Sequence, residues 1–539
     1  MADRDRSSTT EDWLETSGAW NALRRLGLLA SDSAAVALAR SACYAGIRLI
    51  AAAASGSSIL SAVSSFGRAL APGSLDDGVA ARAVLFLLHS GRRALSSLAR
   101  WSAACWNASL AAVAARRCSA RFRRLGSSPA AGSSATVGLL TRLAGAAARE
   151  PAAFALGGFL GILPFAPTLV VAAFAAVLAP VMLSAASMRA QGGHLRVPRG
   201  ASDIAAAFLG VSVVVAAVAS PSGSSVIPAL VLWAGYAAIF SASSSLEPSD
   251  RALRIVAGAL AAGAVLACVV GLFQYIRGTE TPGSWIDATV FESVKTRVYS
   301  TFDNPNVFAE YLSFALPLAL ALALGGGRAS FLLLLPCILA MSACLLLTYS
   351  RGGWAAGAVG VAAVLAAKDR RLTALALVAV LLVAPALPQS IRSRAVTAIT
   401  LADSSARYRL TIWKSALRMA ADYWPSGIGP GPTPFSQVYP AYEIAGTPAA
   451  HTHNLYLQVL VEMGLPGLLS FLWLLGCFAS ETLRGIRPGS LVPAGLAGAI
   501  FGQMVHGWID NIWYSPKIVF IFWATLGLAL AACRKRRPT

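Results

Sequence analysis

His451-Thr-His-Asn-Leu-Tyr-Leu-Gln-Val-Leu-Val-Glu462 decides how this chain is read. Two histidines and an asparagine run without a break into an apolar segment that continues to Phe478. The segment 456–478 has the roughly 20 residues an α-helix needs to cross a bilayer core, so its polar head sits at a membrane boundary. Asn454, Gln458 and Glu462 recur at steps of four, which puts them on one helix face. Inside a membrane such a stripe turns toward protein or water. His453 falls at or just before the first helical turn, where free N–H groups and the positive dipole end favour anions. The same field favours a neutral imidazole, the form a proton acceptor needs.

Just upstream lies a long polar loop, 388–455, in a chain that is otherwise mostly apolar. Ser404 to Ala421 reads as an amphipathic helix with a serine cap, its apolar stripe formed by Leu410, Trp413, Ala416 and Leu417. Arg407 and Arg409 fall in its first turns, where cations oppose the helix dipole. A bound anion between them would remove the conflict, which favours phosphate binding over a solvated charged face. Gly427-Ile-Gly-Pro-Gly-Pro432 then reverses the chain.

The totals agree with a membrane reading. Of 539 residues 56% are apolar and 13% charged, with a mean hydropathy of +0.64, which excludes an ordinary soluble globular domain. The net charge of +20 does not point to nucleic acid. The arginines cluster beside apolar runs, as membrane anchors and anionic-lipid contacts do. None of the eight cysteines lies in the long loop and no CxxC pair occurs, so neither a disulfide framework nor a zinc knuckle is expected. The first 40 residues are charged and broken, unlike a cleavable signal peptide.

Twelve spans are expected: 152–166, 168–187, 203–219, 226–243, 252–275, 307–325, 329–348, 353–367, 371–387, 456–478, 491–507 and 515–533. Loops between them alternate in charge. One set carries Arg189, Arg251, Arg254, Arg328, Lys368, Arg484 and the basic tail; the other holds the long loops 276–306 and 388–455. The positive-inside rule then puts both termini in the cytoplasm and both long loops outside. Residues 1–150 stand apart, with 18 Arg and no Lys against 9 acidic residues. They read as membrane-surface helices such as Ala81–Ala99 and Ser102–Arg117, or as a loosely structured cytoplasmic extension.

This orientation gathers the unusual polar residues on the outer face. Asn304 and Asn306 precede a span and serve as helix cap or as ligand. Glu310 lies inside that span, where a carboxylate needs a partner or water. Arg297 lies outside the membrane, nine residues before Asn306. Arg351, in a tight exterior connection, is a snorkelling end residue or the partner of Glu310 or Glu462. His451 and His453 form an HxH pair, but no further metal ligand with usable spacing stands out in the outer loops, so no metal is expected.

Arg297-Val-Tyr-Ser-Thr-Phe-Asp-Asn-Pro-Asn306, Tyr349-Ser-Arg-Gly-Gly353, Arg409-x-x-x-Trp413 and Gly427-x-Gly-x-Gly431 resemble the O-antigen ligase and polysaccharide polymerase superfamily. So do His453-Asn-Leu-Tyr-Leu-Gln458 and Glu462-x-Gly464-x-x-Gly467. The resemblance covers about residues 150–535. It implies an all-α, polytopic, GT-C-like membrane domain over 151–535, acting as an inverting, metal-independent glycosyltransferase without a cofactor. The implied donor is a glycan on undecaprenyl diphosphate at the outer, periplasmic face of the cytoplasmic membrane. The implied acceptor is a hydroxyl of a glycolipid such as lipopolysaccharide core, or of another glycan. Family arginines from the two exterior loops and a histidine at the end of the long loop match Arg297, Arg409 and His453. Arg407, Asn304, Asn306, Trp413 and Asn454 are then expected to hold diphosphate or glycan, and Arg351, Glu310, Gln458 and Glu462 to support the site. Within the superfamily, ligase and polymerase remain alternatives. A transporter is the rival from another class, but it predicts broken helices in repeated halves, and the two halves show no internal repeat.

Overall fold

The computed structural model describes residues 150–168, 170, 171, 175, 200–246, 248–281, 296–302, 304–400 and 404–534. All of them belong to one unit, Leu98–Thr539. The readings made on residues 1–149, on most of 168–187, on Arg189 and on the tail beyond Arg534 lie outside the described residues.

Every regular element among the described residues is helical. In chain order these are α1 Pro151–Ile162, α2 Ala201–Ala219, α3 Ile227–Ser244, α4 Asp250–Ile276, α5 Pro305–Gly325, α6 Gly327–Leu347 and α7 Arg351–Lys368. Then follow α8 Arg370–Val383, α9 Gln389–Thr400, α10 Ser404–Asp422, α11 Pro432–Val438, α12 Leu455–Gly485, α13 Leu491–His506 and α14 Pro516–Arg534. Seven helices are long and apolar enough to cross a membrane: α2, α3 with its preceding 3-10 turn, α4, α5, α6, α12 and α14. α1, with its short 3-10 extension, and α13 are shorter apolar helices.

Among the described residues, two of the expected spans, 353–367 and 371–387, fall on helices that are not long and apolar enough to count as membrane-crossing. α8 has only 14 residues, about 21 Å at 1.5 Å per residue, against a hydrocarbon core of about 30 Å. α7 begins on Arg351, ends on Lys368 and is rich in Gly and Ala, which carry little hydropathy.

Small residues set the depth of packing beside the outer loops. α7 lies along α13, with Ala356 and Gly360 facing Gly498 and Gly502. A Cβ on Gly502 would sit 2.3 Å from the Ala356 carbonyl, and one on Gly498 would sit 3.0 Å from that of Gly360. Small residues four apart on each helix let the backbones touch, the usual route to helix association in lipid. One turn beyond Gly502, His506 is thereby pressed against Gly352. α5 packs against α4, α6, α7 and α13 and is buried along nearly all its length, so anything polar on it belongs to the interior. Arg534 at the end of α14 ties three helices together. Its guanidinium meets Asp203 of α2 at 2.9 Å and Glu481 of α12 at 2.8 Å.

α12 is broken at Gly464, whose backbone is at φ 65, ψ −171. Pro466 has no N–H to give the Glu462 carbonyl, and Leu465 donates to Trp424 O instead of continuing the helix. The freed carbonyls of Val461 and Glu462 accept from Ile428 N at 2.9 Å and Gly429 N at 3.1 Å. The glycine knot read from the sequence as a chain reversal is therefore the part that plugs this break. Gly464→Ala is expected to cost about 2 kcal/mol or more, since that φ/ψ region belongs essentially to glycine. Its Cβ would also fall 2.6 Å from Trp424 O. Thermal melting of the detergent-solubilised protein measures this; an unchanged midpoint would mean the break is not required.

The loop 388–455 carries a small core of its own. Ile412, Ala416, Met419 and Ala420 of α10 are buried with Ile428, Phe435, Tyr439 and Val461. The expected stripe is thus corrected: Ala416 belongs to it, whereas Leu410 is 47% and Leu417 56% exposed. Both faces of α10 satisfy helical spacing, and the protein covers the one carrying Ile412.

Candidate active site

His453 stands directly before α12. Asn454 is the N-cap, accepting from Leu457 N at 2.9 Å, while its amide donates to Trp508 O at 2.9 Å. Leu455 N donates to Gly507 O at 2.7 Å. The connection 507–515 is thereby stitched to the start of α12. His453 itself has φ 49, a left-handed conformation that histidine tolerates better than most residues. His453 N donates to His451 Nδ1 at 3.2 Å. Ser300 and Tyr349, flanking the other arms of the site, also have positive φ, and such strain concentrates where a site must be held in one shape.

The expected polar stripe on α12 forms a ladder. Thr452 N donates to Gln458 Oε1 at 2.8 Å, and Gln458 Nε2 donates to Glu462 Oε1 at 2.8 Å. Its chemistry is bracing for the segment 452–454. Asn304 caps α5 by accepting from Asn306 N at 2.8 Å, the structural one of its two readings.

Asn306 does more. Arg297 donates through Nε to Thr348 O at 2.9 Å and through Nη2 to Asn306 Oδ1 at 3.0 Å. Asn306 Nδ2 donates to Asp510 Oδ2 at 2.9 Å. Asp510 Oδ1 lies 3.1 Å from His453 Nδ1 and also accepts from Asn511 N at 2.9 Å. An unbroken hydrogen-bonded path therefore runs Arg297–Asn306–Asp510–His453, joining the two exterior loops expected to share a site.

Arg409 stands close enough for its charge to act on Asp510 and His451. Burial alone would raise the Asp510 carboxyl. The His453 hydrogen bond and the Arg409 charge outweigh that and hold it well below the usual carboxylate range. Burial, with the charges of His453 and Arg409, pushes His451 down to about 3 against the opposing pull of Asp510. His451 is therefore a neutral ring at physiological pH. Arg407 is exposed beside half-buried Arg409, and Trp413 lies one turn further along α10 with its indole Nε1 buried and without a hydrogen-bond partner.

Asp510 is the member of this hydrogen-bonded path that the sequence reading missed. It is the only acidic residue after Glu481, a signal that could have singled it out. It also supplies a third potential ligand beside the histidine pair, where spacing in the outer loops offered none. His451, His453 and Asp510 bring ligand atoms within 4.8 Å of one another, and so do Glu310, His506 and Asp510. In the first group, Asp510 Oδ1 and His451 Nδ1 already serve hydrogen bonds, and the Arg409 cation opposes a metal ion there. In the second, Glu310 Oε2 and His506 Nδ1 are buried without hydrogen-bond partners, which suits a water or a small cation. The expected pairing of Arg351 with Glu310 or Glu462 is not among the ion pairs of the described residues; Glu462 is engaged by Gln458.

No curated protein matches the chain. A family model described as O-Antigen ligase matches residues 336–472, a stretch that holds Arg351, Arg409, Trp413 and His453 but neither Arg297 nor Asp510. Residues 336–472 are thus similar to the O-Antigen ligase family, within a chain whose described residues hold seven helices long and apolar enough to cross a membrane.

Proposed function

We propose that the protein transfers a glycan from a lipid-linked diphosphate to a sugar hydroxyl, with His453 as general base and Arg297 and Arg409 as the cations that receive the leaving group. The observation that carries this reading is the path Arg297–Asn306–Asp510–His453. With Nδ1–H donated to Asp510, His453 Nε2 is left to accept a proton. The acceptor oxygen attacks the anomeric carbon, its proton passes to Nε2, and the bond to the diphosphate breaks with inversion. The diphosphate departs with added charge, which positioned guanidinium groups stabilise. The charge pattern of the loops supports an outer-face site on the cytoplasmic membrane with both termini inside, and the family resemblance supports undecaprenyl diphosphate as the carrier. Ligase and polymerase share these steps and differ in whether the acceptor is a separate glycolipid or another lipid-linked repeat.

The test is incubation of the purified full-length protein with lipid-linked glycan and candidate acceptors, with and without EDTA. Transfer coupled to release of lipid diphosphate, and persisting in EDTA, is the expected result. Loss in EDTA restored by a divalent ion would move the reading to metal-dependent transfer through Glu310, His506 and Asp510. Arg409→Ala is expected to lower kcat/KM on the order of 100-fold. Arg409→Lys should recover only part of this, because an ammonium cannot grip two phosphate oxygens as a planar fork does.

A further inference from the structure

We infer that Tyr514 and His451, with Tyr408 across from them, form the subsite that seats the acceptor's sugar ring against His453. This rests on the transfer reading above and adds to it where one substrate lies.

Three rings form a row. Tyr514 and His451 have centroids 4.6 Å apart at 42°, and His451 and His453 are 4.1 Å apart at 54°. The ring of Tyr408 stands 6.0 Å from that of His453 at 64°. The two tyrosines are open to the outside, 47% exposed for Tyr514 and 41% for Tyr408. Neither is on a membrane-spanning helix: Tyr514 ends the connection 507–515 and Tyr408 lies on α10. Both are held in place. Tyr408 donates its hydroxyl to Pro448 O, and Tyr514 N donates at 3.0 Å to the carbonyl of Asn511, the residue whose own N–H donates to Asp510.

Exposed, anchored aromatic faces flanking a proton acceptor match the chemistry of a pyranose. Such a ring presents C–H bonds on one face, which lies against an aromatic surface, and hydroxyls around its edge. Inversion decides which substrate this is. The attacking oxygen must approach opposite the departing diphosphate, so the acceptor belongs on the side of the base. The row Tyr514–His451–His453 is continuous with the base, and its outer end at Tyr514 is open to an incoming acceptor. The rival account of Tyr514 is an interfacial anchor of the kind that aromatic belts supply. An anchor affects insertion and melting; it does not discriminate acceptor from donor.

The experiment uses the full-length protein in nanodiscs, a lipid-linked glycan donor and a soluble oligosaccharide acceptor. Tyr514→Ala is expected to raise the acceptor KM roughly tenfold, the loss of one aromatic stacking contact. Its kcat, its donor KM and its slow hydrolysis of donor in the absence of acceptor should stay within about twofold of wild type. Tyr514→Trp should restore the acceptor KM. Should Tyr514→Ala lose its melting transition, Tyr514→Leu, which keeps bulk and loses the ring, carries the same expectation. An unchanged acceptor KM overturns the subsite and leaves the transfer assignment standing, as does an equal fall in hydrolysis and transfer. Failure of the wild-type protein to transfer at all overturns both.

Discussion

His453→Ala is expected to reduce transfer by about 1,000- to 10,000-fold, the range a positioned general base supplies, while membrane insertion and melting stay close to wild type. The side chain is 20% exposed and its ring neighbours are His451 and Tyr408, so its removal disturbs the site rather than the packing of the spanning helices. Asp510 keeps two of its donors, Asn306 Nδ2 and Asn511 N, and is not left as an unpaired buried charge. One side effect needs a control. The backbone at φ 49 suits alanine less than histidine, and local strain could be mistaken for lost chemistry. His453→Asn removes that ambiguity, because asparagine tolerates the left-handed region and cannot act as a base near neutral pH. Both variants should fall together in kcat/KM for release of lipid diphosphate. Wild-type turnover by either one would remove His453 from the base role.

Much of this site was legible because its parts are marked locally. A polar cluster running into an apolar segment announces a helix at a membrane edge, and α12 starts at Leu455, one residue before the expected span. Charge alternation put loops 276–306 and 388–455 on one side, and Arg297 and His453 are joined by hydrogen bonds as that grouping requires. The readings that failed are those that depend on partners distant in sequence. Asp510 meets His453 across 57 positions and Asn306 across 204; nothing in its neighbourhood of Ile509 and Asn511 repeats at a helical or strand period. On α10, spacing alone cannot rank Leu410 and Leu417 above Ile412 and Met419, since an amphipathic helix on a membrane protein has two apolar environments to choose from. An intramembrane acid calls for a partner or water, and Arg351 is one partner the sequence offers besides its reading as a snorkelling end residue. Glu310 instead faces His506 and Asp510, an arrangement visible only once α5 and α13 are packed. The glycines at 427 and 429 read correctly as a chain reversal; the break at Gly464, inside the expected span 456–478, and the fit of the reversal into it are tertiary facts.

Asp510→Asn is the second substitution expected to stop the reaction, by about 1,000-fold or more, though it changes only an oxygen into an amide. Asp510 accepts from three donors, His453 Nδ1, Asn511 N and Asn306 Nδ2. A carboxamide has one accepting oxygen. Its NH2 must therefore face either Asn306 Nδ2 or His453 Nδ1, donor against donor. In the second case His453 relieves the conflict by moving its proton to Nε2, the position that must accept from the acceptor hydroxyl. An orienting carboxylate replaced by an amide has this consequence in hydrolytic triads, where the loss reaches about 10,000-fold. The carboxylate is also secure against pH: because its folded value is depressed, its stabilising contribution is present above the unfolded value of about 3.8 and fades only as pH falls toward the folded one. Asp510 is thus ionised across the working range, and Asp510→Asn should lower kcat/KM at every pH from about 5.5 to 9 without shifting the donor KM. Asp510→Glu keeps the accepting oxygens one methylene further out and should recover part of the rate. A near-wild-type Asp510→Asn enzyme would mean that the carboxylate merely braces the loop, and that something other than Asp510 sets the proton on His453.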